Sequence, residues 1–153
     1  MSSRIRRNDR GFTLLEVLLV IGIMALIASI VAPSLIRTAE QAKIDTAQTT
    51  VESNGPLGIA LQKYRFDIGV YPDTDEGLKA LLERPNSVDE ASGKWRGPYV
   101  SPADPEKLKD PWKNEYQYRF PGNVNETEFD LWSYGPDLKD GTDDDITRWN
   151  KLK

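Results

Sequence analysis

The chain contains no cysteine and no histidine. The first absence excludes disulfides, thiolate nucleophiles and cysteine-ligated metals, whatever the redox state of the compartment. The second removes the usual general base at neutral pH and the commonest transition-metal ligand. Also missing are a phosphate-cradling glycine loop, a nucleophile elbow and a zinc motif. A carboxylate enzyme such as a glycosidase needs two acids converging in a cleft. The sequence offers no pair better placed than the acidic run near its C-terminus, so it reads as a structural or binding protein and not as an enzyme.

Charge is absent from one long stretch as well. From Phe12 to Ile36 the only ionisable side chain is Glu16. The segment Phe12–Ala32 is almost wholly Leu, Ile, Val, Ala, Met and Gly, and as a helix about 20 residues long it reaches across a bilayer core. It has no polar face, which argues for lipid or the centre of an all-helical bundle and against a helix lying on one soluble core. Arg4, Arg6, Arg7 and Arg10 precede it against the single acid Asp9, which places the N-terminus in the cytoplasm and the body across the membrane. A secretory signal would end in a small-x-small cleavage site beyond the apolar run. Here the small residue, Gly11, lies on the basic side. Glu16 is the costly feature, because a carboxylate in apolar surroundings needs a partner.

The 153 residues allow this helix and one modest domain. The formal charge is −4; the first eleven residues carry four arginines against Asp9, a net +3, so the remainder stands at −7. Such a body has no basic patch for nucleic acid. Pro33 is expected to kink or loosen the helix. Beyond it Leu35, Ile36, Ala39, Ala42, Lys43, Ile44, Ala47 and Val51 recur at helical spacing among polar residues, so the helix turns amphipathic. Asn54-Gly55-Pro56-Leu57-Gly58 interrupts it. A second helical stretch follows from Leu57 to Phe66, with Ile59, Leu61, Tyr64 and Phe66 as its apolar contacts.

Gly69-Val70-Tyr71-Pro72 reads as a turn, and residues 73–76 as caps for a short helix through Leu78, Ala80, Leu81 and Leu82. Irregular backbone is expected after Arg84-Pro85. Polar and aromatic residues alternate from Glu115 to Phe120, Pro121-Gly122 turns the chain, and Thr127–Tyr134 reads as the antiparallel partner. The fold class is therefore α+β, with a small antiparallel sheet packed against a long N-terminal helix.

Near the C-terminus, Asp137, Asp140, Asp143, Asp144 and Asp145 crowd one loop with Gly and Pro. Crowded carboxylates repel unless water screens them or a cation sits among them. Ca2+ suits such a loop, since it accepts carboxylate, carbonyl and water oxygens in flexible geometry. The loop is not an EF-hand, because the glycine falls one place early and the bidentate Glu is missing. A solvated acidic loop and a calcium site both remain open on these residues alone.

The heptapeptide Arg10-Gly11-Phe12-Thr13-Leu14-Leu15-Glu16 resembles the class III signal of type IV pilins and pseudopilins. Trp95-Arg96-Gly97-Pro98-Tyr99-Val100, Asp110-Pro111-Trp112, Tyr116, Tyr118, Pro121-Gly122, Asp130, Ser133, Gly135 and Asp137 resemble, in the same order, the major pseudopilin of type II secretion. The resemblance implies a pilin-like fold in three segments: a leader at residues 1–11 that is removed, a membrane-spanning and filament-core helix at 12–35, and a periplasmic domain at 36–153. It implies cleavage after Gly11 by a prepilin peptidase that also methylates the new terminus on Phe12. Glu16 then pairs with the terminal ammonium of a neighbouring copy during assembly. It also implies Ca2+ in the acidic loop, held by the side chains of Asp137, Asp144 and Asp145 and the carbonyl of Tyr134. Thr142 would assist, with Asp140 and Asp143 as outer charge.

The implied function is that of a major subunit polymerising into a periplasmic pseudopilus that drives folded proteins across the outer membrane. The expected partners are further copies of the chain, minor pseudopilins, the inner-membrane assembly platform and the peptidase. The expected location is the inner membrane, single-pass, with the N-terminus cytoplasmic. The rivals are a type IV pilin, which usually carries a C-terminal disulfide loop that this chain cannot make, a minor pseudopilin, and a non-polymerising membrane-anchored calcium-binding adaptor.

Overall fold

The computed structural model describes residues 12–124 and 126–149, so Gly11 and the expected leader lie outside the described residues. Helix α1 runs over Leu14–Val51 and α2 over Pro56–Ile68; the strands are β1 Gln117–Arg119, β2 Asp130–Ser133 and β3 Ile146–Thr147. The chain divides into two compact units, one ending at Glu40 and one beginning at Gln41.

In the first unit every Leu, Ile, Val, Met and Phe side chain from Phe12 to Ile36 is exposed, by 44 to 80%. Burying that set would be worth roughly 20 to 30 kcal/mol. A surface of this kind is kept out of water by lipid or by other chains, and α1 is long and apolar enough to cross a membrane. The hydroxyls of Ser29 and Ser34 in this stretch bond back to the helix: Ser29 Oγ donates to the Leu26 carbonyl at 2.7 Å and Ser34 Oγ to the Val31 carbonyl at 2.8 Å. The helix passes through Pro33 without interruption. Proline removes one intrahelical donor there, and the bonds on either side keep the helix intact.

In the second unit the buried stripe of α1 consists of Ala47 and Val51, with Ile44 packed at its margin. Ala39 and Ala42, expected on that stripe, are exposed. The joint between the helices falls at the expected interruption. A Cβ on Gly55 would lie 2.0 Å from the Thr49 carbonyl oxygen, and one on Gly58 would lie 2.4 Å from that of Glu52. The two helix ends can approach so closely only because both positions lack a side chain. Pro56 then opens α2, where its missing N–H costs nothing, and Gly69 closes it in the left-handed conformation.

Leu57, Ala60, Leu61 and Tyr64 are the buried face of α2. Ile59 and Phe66, expected to make apolar contacts, are instead 43% and 87% exposed. They lie about half a turn away from the 57–61–64 stripe. The short helix expected near Leu78 is a 3-10 turn over Gly77–Leu81, entered through Asp73, whose carbonyl accepts from the Glu76 and Gly77 amides. Irregular backbone follows as expected, apart from 3-10 turns at Glu90–Ser92 and Pro105–Leu108.

The sheet is antiparallel in the order β1-β2-β3. Tyr118 faces Leu131, and Ser133 faces Ile146. β1 and β2 lie within the expected hairpin but are shorter, because the chain between them wraps onto Asp130: its Oδ2 accepts from the Asn123 and Val124 amides at 2.6 and 3.3 Å. Tyr71 sits edge-on to Phe120 and Phe129 at 5.4 and 5.0 Å. Tyr118 Oη donates to the Pro72 carbonyl at 2.8 Å. β3 is secured from beyond its end by Arg148. That guanidinium stacks 4.5 Å over Phe129, donates to the Phe129 carbonyl at 2.7 Å and to Ser53 Oγ at 2.8 Å, and pairs with Glu128.

Candidate functional site

Two segments carry the candidate residues, and they are built differently. At the start of α1, Thr13 acts as the N-cap. Its Oγ1 accepts from the Glu16 amide at 3.2 Å, and its carbonyl accepts from Glu16 and Val17 at 3.1 and 3.2 Å. Thr13-Leu14-Leu15-Glu16 has the spacing of a capping box, a signal that the sequence reading passed over. It fixes where the helix begins and therefore where Glu16 points from. A carboxylate three residues into a helix also benefits from the positive end of the helix dipole. Phe12 and Glu16 are both exposed in the single chain.

The acidic loop spans residues 134–145 and joins paired ends, since Ser133 and Ile146 are register partners across β2 and β3. Gly135 has φ +67°, and a Cβ there would lie 2.2 Å from the Asp144 carbonyl oxygen. Residue 135 thus lies backbone to backbone against residue 144, and only glycine fits. From the far side, Asp144 Oδ2 accepts from the Asp137 amide at 3.0 Å.

Thr142 Oγ1 lies 2.6 Å from Asp144 Oδ1, 3.2 Å from the Lys139 carbonyl and 3.3 Å from Asp137 Oδ1. A hydroxyl has one proton to donate. Two of those three oxygens therefore face an oxygen with no hydrogen between them, an electron-rich point that a cation would relieve. Donation from Thr142, and then from the Asp137 amide, holds the Asp144 carboxyl below the ordinary carboxylate range. Asp145 Oδ2 accepts from the Gly141 amide at 2.8 Å, while its Oδ1 is buried and has no hydrogen-bond donor among the described residues. Burial, followed by the charges of Asp140 and Asp145, raises the Tyr134 phenol.

The loop thus brings Asp137, Thr142 and Asp144 together and leaves a bare carboxylate oxygen on Asp145. Asp140 and Asp143 are exposed, and Asp140 accepts from Trp132 Nε1 at 3.3 Å. Among the described residues no group of three or more acids is arranged to hold a metal by carboxylates alone. A mixed set of carboxylates, a hydroxyl and carbonyls is what this loop could offer a cation, and such a set would suit calcium and not a transition metal. Gly135, absent from the sequence-based set of site residues, is required by the loop. Its signal was a glycine directly after an aromatic and before Pro136.

Comparison with known proteins identifies the family. Residues 34–149 match the family described as type II secretion system (T2SS), protein G, and residues 6–32 match the prokaryotic N-terminal methylation motif. The type II secretion system core protein G of Aeromonas hydrophila is 38% identical over 145 residues, covering 95% of each chain. That of Pseudomonas aeruginosa is 35% identical over 149 residues, covering 95% of this chain and 98% of its own. The crystal structure of the major pseudopilin from the type 2 secretion system of enterohaemorrhagic Escherichia coli superposes with a TM-score of 0.60 at 30% identity, over 78% of this chain and 92% of that one. The chain belongs to the protein G family of the type II secretion system, the family of its major pseudopilins.

Proposed function

We propose that this chain is a major pseudopilin that enters the inner membrane as a single-pass precursor with its N-terminus in the cytoplasm. It is cut after Gly11, methylated on Phe12 and polymerised through α1 into a periplasmic pseudopilus that drives folded proteins across the outer membrane. The observation that carries this reading is the uncovered apolar surface from Phe12 to Ile36, on which Glu16 is the one charge. Lipid covers that surface in the precursor; neighbouring copies cover it in the filament. Removal from lipid is affordable for Glu16 only where a positive charge meets it, and the ammonium exposed on Phe12 of another copy is such a charge. Pairing these groups sets the axial register, and a contact repeated head to tail without closing gives a filament. Minor pseudopilins, the inner-membrane assembly platform and the prepilin peptidase are the further partners, and the role is structural.

The acidic loop is read as a Ca2+ site. The orphaned oxygen of Asp145, the proton-poor contacts around Thr142 and the Gly135 cradle support that reading. Asp137, Asp144, Asp145, Thr142 and the Tyr134 carbonyl are the groups that would hold the ion. When bound, the ion supplies the positive charge that the crowded aspartates lack, and it fastens the β2–β3 connection in a protein without cystine.

Glu16→Ala tests the assembly reading. Membrane fractions should contain the variant at the wild-type level, while electron microscopy of overproducing cells finds no filaments. Wild-type chains should begin with N-methylated Phe12 by mass spectrometry. Normal filaments from Glu16→Ala would overturn the proposal.

A further inference from the structure

We propose that Asp110 and Ser133 are positioning residues for the acidic loop, aiming the Tyr134 carbonyl at a bound divalent cation. This rests on the calcium reading above and extends it to residues outside the loop. Asp110 is 3% exposed and belongs to a tight turn in which its amide donates to the Asn114 carbonyl at 2.7 Å. Its Oδ1 accepts from the Trp112 and Asn114 amides at 3.0 and 2.9 Å. The turn therefore fixes one carboxylate oxygen and leaves the other free to act elsewhere. That second oxygen, Oδ2, accepts from Ser133 Oγ at 2.6 Å, the short distance expected of a hydroxyl bound to a charge.

The direction of the next bond follows. Ser133 has given its only proton to Asp110, so its oxygen can only accept, and it accepts from the Gly135 amide at 3.1 Å. Gly135 N–H and the Tyr134 carbonyl are the two sides of one planar trans peptide and point in opposite directions. Holding the N–H toward Ser133 therefore turns the Tyr134 oxygen away from Ser133 and keeps it there. The same peptide leads into Gly135, whose backbone lies against residue 144. A chain of donors ending on a carboxylate also polarises the peptide and makes its carbonyl a better ligand. The Asp-Pro-Trp turn thus acts on the loop through a single serine.

Isothermal titration of CaCl2 into the full chain in detergent micelles tests the proposal on Ser133→Ala and Asp110→Asn. Val88→Ala, a cavity variant at a buried position outside this network, serves as the control for general loss of stability. Each network variant should bind calcium at least tenfold more weakly than wild type, and Val88→Ala should bind as wild type does even where its melting temperature in chelator is as low. If Ser133→Ala does not fold, Asp110→Asn alone decides, because it preserves the shape of the turn. Network variants within tenfold of wild type, or an equal loss in Val88→Ala, would overturn the positioning role. Wild-type protein that takes up no calcium would instead overturn the calcium reading on which it rests.

Discussion

Gly135→Ala is the sharpest test of the loop geometry, because two separate costs fall on one methyl group. The first is conformational: at φ +67° an L side chain costs about 1 to 2 kcal/mol relative to glycine. The second is steric. The added Cβ would lie 2.2 Å from the Asp144 carbonyl oxygen, and since that atom is backbone, no side-chain rotation relieves the overlap. Overpacking of this kind adds about 1 to 3 kcal/mol. Together they destabilise the second unit by about 2 to 5 kcal/mol. At about 4 to 8 °C per kcal/mol for a domain near 100 residues, the melting temperature should fall by at least about 8 °C. The assay is a tryptophan-fluorescence melt of the full chain in micelles with chelator present, so that metal affinity does not enter. Gly69→Ala is the matched control: its φ is +102°, and an added Cβ there meets nothing within 4 Å. A Gly135→Ala shift no larger than that of Gly69→Ala would refute the close approach of residues 135 and 144.

Two further outcomes are expected. Asp144→Ala should lower the melting temperature in millimolar calcium and change it little in chelator; equal shifts in the two conditions would count against an ion at the loop. Burial raises Tyr64 to about 12 and Tyr118 further. The folded state keeps these protons while the unfolded chain begins to lose them near pH 10. Stability should therefore be flat below pH 10 and fall above it by up to about 2.7 kcal/mol per pH unit for the pair. Urea melts between pH 9 and 11 measure the slope, Tyr64→Phe should make it shallower by the share of one tyrosine, about 1.4 kcal/mol per pH unit at most, and an unchanged slope would refute the assignment.

The features legible in the sequence are those that a local pattern decides. The helix joint was readable because Gly55-Pro56-Leu57-Gly58 cannot continue a helix, and the hairpin because Tyr116 and Tyr118 alternate with polar residues on the way to a turn. The error at Ile59 and Phe66 was avoidable. Leu57, Leu61 and Tyr64 already define one helical face, and positions 59 and 66 fall on the other. β3 left no pattern of its own, being two residues long and a strand only by virtue of its pairing with β2. The Asp110–Ser133 bond joins residues 23 apart in the chain, and no local periodicity records such a meeting.

The ends of β3 show how a head without cystine closes its last turn of chain. A strand paired along one edge over two residues has little hold of its own. At its C-terminal end Arg148 ties it to Ser53 beside the helix joint and to Phe129 before β2. At its N-terminal end lies the acidic loop, which by itself pushes the wrong way, since each pair of exposed carboxylates about 4 Å apart repels by about 1 kcal/mol in water. The hydrogen bonds of Thr142 and the Asp137 amide offset part of that repulsion, while Asp145 Oδ1 has no donor among the described residues. One end of β3 is thus held by a cation the chain carries, the arginine. At the other end Lys139 lends some positive charge to Asp144, and the proposed Ca2+ would supply the rest, doing there what Arg148 does at the opposite end.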